Sequence, residues 1–146
     1  MTGLGAARTG AGNKPWAGHR VERNVVVATN AVVGAEVADS MFDAFKRGAD
    51  LPLWERLLRS LEAGKAAGGQ PDGETSSGLY VVDRDTYPLV DLRVDLHATP
   101  VTELRRLADA YFPLVAYYNL RPRDPNVPPA AEWLAQQGRG GSREHG

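Results

Sequence analysis

The chain has no cysteine, no long apolar run and almost no net charge, and each absence removes a class of function. Without cysteine there are no disulfides, no thiolate nucleophile and no Cys-ligated zinc. The longest apolar runs, Val25–Ala28 and Leu114–Tyr118, are far short of the roughly 20 residues that cross a bilayer, so no membrane partner is expected. Seventeen Lys and Arg face eighteen Asp and Glu, a formal charge of −1, which gives no basic footprint for nucleic acid. Residues 1–12 are interrupted by Gly3, Gly5, Gly10 and Gly12 and lack the apolar core of a signal peptide, so a cytoplasmic location is expected. No cofactor or metal motif stands out.

What is present is an ordinary globular composition, 42% apolar and 24% charged over 146 residues, enough for one domain. Residues 1–15 are a flexible, glycine-rich loop. Residues 16–112 are the folded domain, 113–137 a proline-rich extension with a short helix near Trp133, and 138–146 a disordered tail. Val21–Val33 is dense in valine, and a continuous β-branched run predicts a strand covered on both faces.

After Gly34 the period changes. Val37, Met41, Ala44 and Phe45 fall on one helical face, with Glu36 in the first turn, Lys46 and Arg47 in the last, and Gly48 as a left-handed stop. Asp50 is the expected cap of a second helix carrying Leu53, Leu57, Leu58 and Leu61, with Glu55 and Arg59 as a solvated pair. Leu79–Val82 and the alternating Leu89–His97 predict an antiparallel hairpin. Thr99-Pro100 then opens a helix with Val101, Leu104, Leu107, Ala108 and Tyr111 inward and Arg105 and Arg106 in solvent. Grouped helices and grouped strands predict an α+β fold.

Several residues invite chemistry. Asn30 interrupts the apolar strand, where a buried amide must be hydrogen-bonded and can donate to an oxyanion. His19 can act as a base near neutral pH, although a packed, hydrogen-bonded histidine is the simpler reading. Asp91, Arg93, Asp95 and His97 form a dense polar face. Asp95 and His97 share a metal-like spacing, but Arg93 on the same face repels a cation, and a salt-bridged face at a subunit contact is expected. Asp91, Arg93 and Asp95 are the candidate substrate-binding residues. Gly68–Gly73 follows a helix and carries Asp72, so it reads as a turn rather than a phosphate cradle.

Thr9-Gly10, Trp16-Ala17-Gly18-His19, Asn30, Gly34, Leu57-Leu58…Leu61-Glu62-Ala63-Gly64…Ala67-Gly68-Gly69, Val90–Asp95 with His97, and Pro100-Val101…Glu103–Leu107 occur in a family order. Together they resemble, from about Thr9 to Leu107, a bacterial family of unknown function in the N-terminal nucleophile (Ntn) hydrolase superfamily. The resemblance implies a partial Ntn-hydrolase-like α-β-β-α sandwich with antiparallel sheets. It also implies hydrolysis of a small amide by a Thr, Ser or Cys at the chain's own N-terminus, whose α-amine is the base. The matching residues correspond to the C-terminal half of that pattern, so the nucleophile segment is missing here, and Thr2 in its glycine-rich loop is a poor substitute. Asn30 and His19 then become second-tier site residues. Two expectations follow: an amide hydrolase lacking its nucleophile segment, or a catalytically silent half-domain that completes its sheets as a homodimer.

Overall fold

Two residues, Arg23 and Asn24, decide how the valine-rich segment folds. Asn24 takes the left-handed conformation (φ 67°), which asparagine tolerates better than a β-branched residue, and the chain reverses there. In the computed structural model, which describes residues 3–140, the segment is therefore a hairpin and not one strand. Its arms are β1 (Gly18–Glu22) and β2 (Val25–Thr29), paired antiparallel with Arg20 opposite Val27 and Val21 opposite Val26. Past the strand ends Trp16 and Val32 exchange backbone hydrogen bonds of 3.0 and 3.3 Å, with Ala31 at φ 54° between β2 and Val32.

The expectation that this segment is covered on both faces is overturned by the hairpin register. Arg20, Glu22, Val25 and Val27 share one face, and Val27 is buried there. His19, Val21, Val26 and Ala28 share the other, where Val26 is 45% exposed. A run of valines has no polar alternation to show which face meets solvent; the turn settles it.

Helix α1 (Ala35–Arg47) covers the buried face, and its Asp39 and Lys46 form ion pairs with Arg20 and Glu22. Gly48 ends it as expected by position, but at φ −85° and not in a left-handed conformation. Helix α2 (Leu53–Ala66) starts after Pro52, and Asp50 makes no cap. The two helices pack closely. A Cβ at Gly64 would lie 2.6 Å from Met41 Cγ, so a side chain there would displace Met41 from between the helices. Ser60 Oγ donates to the Met41 carbonyl at 2.8 Å, and the Arg56 guanidinium sits 3.9 Å from the centre of the Phe45 ring.

The second hairpin pairs β3 (Ser77–Val81) with β4 (Val90–Val94), Leu79 opposite Leu92 and Val81 opposite Val90. Leu79, Val81, Val90 and Val94 point onto α2 and onto α3 (Pro100–Tyr111), where they form a core with Leu58, Leu104, Ala108 and Val115. Fully burying Leu58 and Leu104 contributes about 2 kcal/mol each. The alternation expected through His97 stops at Val94, and Leu96 is 82% exposed. Thr99 occupies the cap position of α3, yet its hydroxyl lies 3.3 Å from His97 Nδ1 and makes no cap bond. Leu114–Leu120 is helical: a 3-10 turn over Phe112–Leu114 leads into α4 (Val115–Leu120). Helix α5 (Ala130–Gly140) is anchored by Trp133, whose ring centre is 5.7 Å from that of Tyr117. The tail expected to be disordered is thus helical through Gly140, and residues 141–146 lie outside the described residues.

The fold is α+β, with helices α1, α2 and α3 on one side of two small antiparallel sheets. Arg105 braces the helical layer. Against the expectation of a solvated side chain, it is half-buried, donating to Glu62 (2.6 and 3.0 Å) and to Glu55 (2.8 and 3.3 Å) on α2. Burial raises the Glu55 carboxyl, but the hydrogen bonds and charges of Arg105 and Arg59 outweigh it and hold the group below its usual range.

Two predictions follow from the helical layer. Gly64→Leu should lose about 1–3 kcal/mol in urea unfolding by forcing α1 from α2, whereas unchanged stability would contradict the close approach. Unfolded Glu titrates near about 4.3, so stability from the depressed Glu55 is complete above that pH and disappears as pH falls through the lower folded value. Glu55→Gln should therefore flatten the acid limb of stability against pH, and an unaltered limb would contradict the brace.

Candidate functional site

The side of the β-layer away from the helices carries most of the residues singled out from the sequence. His19 lies on β1 between Gly18, against which the Trp16 ring packs, and Arg20. Its Nδ1 is 2.6 Å from Thr9 Oγ1, so the segment before β1 crosses this face and fixes the imidazole. Gly5 comes equally close: a Cβ there would lie 2.7 Å from the Glu22 carbonyl oxygen. His19 is thus a half-buried, hydrogen-bonded histidine.

Asn30 does not interrupt a buried strand. It follows β2, is exposed, and stands at the mouth of a groove, so the buried-amide expectation is corrected by the strand ending at Thr29. No hydrogen bond joins it to His19. Asp91 and Arg93 are exposed on β4, facing away from the helices, and Asp95 is exposed just beyond the strand. The expected salt-bridged face is absent within this chain: among the described residues Arg93 has no ion-pair partner. Extended backbone sends Asp91 and Arg93 out in parallel, and each is left to solvent. Thr2 lies outside the described residues.

The groove was not foreseen. It runs between the free edges of β2 and β3, whose other edges pair with β1 and β4. One end, about 320 Å³, lies between Val25 and Tyr80 over Met41, Phe45, Leu57 and Leu61. The other, about 280 Å³, lies between Thr29–Asn30 and Ser76–Ser77. Thr29 Oγ1, at this second end, is buried without a hydrogen-bond partner, the one such side-chain atom among the described residues. Its sequence signal was slight: two short β-segments separated by two helices, with no strand to join them.

The glycine loop behaves as a turn. Gly68, Gly69 and Gly73 have φ of 114°, 55° and 81°, and Glu74 accepts the Gln70 amide at 2.9 Å while pairing with Lys65 at 2.6 Å. A loop that fills its own amides with a carboxylate does not cradle phosphate. Among the described residues no group of three or more His, Asp and Glu is placed to hold a metal ion, and no helix is long and apolar enough to cross a membrane.

Residues 1–104 match the family of unknown function DUF1028. The fold is similar to the crystal structure of protein SPO2555 from Silicibacter pomeroyi, described with the same family, at 31% identity and a TM-score of 0.64. That likeness covers 73% of this chain but spans only 45% of the other chain, so more than half of the relative has no counterpart here. No curated protein matches the sequence. With most of its length matched by the family and its fold shared with a member's structure, the chain belongs to the DUF1028 family.

Proposed function

We propose that this chain works by association: it is a catalytically silent half-domain whose outer β-face, beyond the segment that crosses β1, packs against the same face of a second copy. One observation carries the reading. Val21, Val26 and Ala28 on one hairpin and Tyr80 on the other lie on the side away from the helices, with Val82 just past β3; Tyr80 and Val82 are 62% and 61% exposed. Apolar surface gathered on one face marks an interaction site. The unpaired Asp91 and Arg93 on that face suit a second copy in particular, because a two-fold contact lets Arg93 of one copy meet Asp91 of the other. Stacking two such layers with the helices outward gives the α-β-β-α order of an Ntn hydrolase.

The 2.6 Å contact between Thr9 and His19 favours a second reading, amide hydrolysis of the Ntn type. Here the nucleophile comes from a segment outside this chain, His19 and Asn30 lie at the border of the site, and Asp91, Arg93 and Asp95 hold a small amide substrate. This chain alone should not turn over small amides or lactams. Turnover should appear when upstream family sequence is restored, and its continued absence would reject the hydrolytic reading.

For the association itself, sedimentation velocity should show a concentration-dependent dimer, and Arg93→Glu or Val26→Asp should shift it at least ten-fold toward monomer. A chain that stays monomeric across the accessible concentration range would contradict the proposal.

A further inference from the structure

We propose that the cavity at the turn end of the second hairpin, where the β3–β4 loop meets the end of α3 and α4, binds a small quaternary ammonium group. The loop is held off the helices at two points. The Leu89 amide donates to the Val81 carbonyl at 2.8 Å and closes the ladder. Arg123 then pins the loop to α4, donating to both oxygens of Asp85 at 2.6 and 2.5 Å and to Asn119 Oδ1 at 2.9 Å. Between loop and helices lies a cavity of about 270 Å³. That is near the lower end of the range that takes small molecules, roughly 300–1,000 Å³.

The walls carry carboxylates and aromatic rings, and no cationic side chain lines them. Asp83, Asp85 and Tyr87 come from the loop. Tyr111 and Tyr118 come from the helices, their rings stacked with centres 5.9 Å apart and planes 12° apart. Tyrosine faces and carboxylates both attract a cation. Arg123 neutralises Asp85, whereas Asp83 has beside it only Arg84, 3.7 Å away with a side chain 75% exposed, a surface pair of little strength. One carboxylate is left for one positive charge.

The hydrogen bonds select the kind of cation. A primary ammonium brings three N–H donors that need acceptors once water is removed. Here Arg123 occupies both Asp85 oxygens and Asn119 Oδ1, and the Leu89 carbonyl faces the Tyr111 hydroxyl at 3.4 Å. A quaternary ammonium has no N–H to satisfy, and its methyl groups suit the tyrosine rings and the Val115 side chain. Tyr111, Val115, Tyr118 and Asn119 all follow residue 104, where the family match ends. None of the lining residues takes part in the self-association surface, and occupation of one does not require the other.

The test is an amide-resolved NMR titration of the full chain with choline. Its controls are the neutral isostere in which carbon replaces the nitrogen, and ethanolamine as the primary-amine counterpart. Choline should give saturable shifts confined to residues 83–89 and 111–119, and both controls should bind at least ten-fold more weakly. Asp83→Asn, on an exposed loop, should weaken choline binding at least five-fold with the rest of the spectrum retained. Tyr118→Phe, which keeps the ring, should bind like the parent, whereas Tyr118→Leu should bind at least five-fold more weakly. Scattered shifts, equal binding of the neutral isostere, or an Asp83→Asn chain of undiminished affinity would each overturn the proposal. Phosphatidylcholine vesicles distinguish the two sources of this group. Co-sedimentation that free choline competes away would assign a lipid headgroup, and choline binding without co-sedimentation would assign a free small molecule. A response to neither would overturn the proposal.

Discussion

The close packing of α1 on α2 is the constraint on which the rest of the molecule depends. Gly64 admits the Met41 side chain where any Cβ would strike it, Ser60 ties the layers through the Met41 carbonyl, and Arg56 lies over Phe45. Hairpin β1–β2 packs on α1, while β3–β4 packs on α2 through β3 and on α3 through both strands. Because the helices are locked side by side, the hairpins are held side by side too, with their inner edges facing. The groove and the bare face are therefore consequences of a helix contact several residues away from either. Arg105 extends the same layer by clamping α3 to α2 through two carboxylates, and α3 in turn closes the core beneath β3 and β4.

The helical elements were legible in the sequence because their apolar residues recur at a period near 3.6, which survives local noise. The stripe from Val37 to Phe45 and that from Val101 to Tyr111 both appear where the periodicity places them. The alternation in Val90–Val94 fixed the inward face of the second hairpin in the same way. The valine segment failed for a physical reason. Uniform β-branched residues carry no facing information, and the signal that mattered was the polar Glu22-Arg23-Asn24 inside the run, where only Asn24 suits a left-handed turn. Leu114–Leu120 was obscure for the opposite cause: a six-residue helix is too short to show a period, and its tyrosines are held by ring contacts with Tyr111 and Trp133.

The site was less legible than the fold. His19 and Asn30 stand out as polar residues in apolar company, but the structure separates their roles, His19 bonded to Thr9 and Asn30 in solvent at a groove mouth. Which strands neighbour one another cannot be read from local pattern, so neither the groove nor the Arg105 brace, whose partners lie 43 and 50 residues away, had a local signature. Asp91 and Arg93 illustrate the same limit. Their spacing suggested a salt-bridged pair, yet one strand sends them out in parallel and only a partner surface can join them.

The central claim is that both hairpins are covered by helices on one side and, apart from the segment around Gly5 and Thr9 that crosses β1, open on the other. The most direct measurement is NMR line broadening by a soluble paramagnetic agent, recorded on the monomer at dilution. Signals of Val21, Val26, Tyr80 and Val82 should broaden strongly while those of Val27, Leu79, Val81 and Val90 remain sharp. Equal protection of the two sets would show a β-layer covered on both sides and contradict the account.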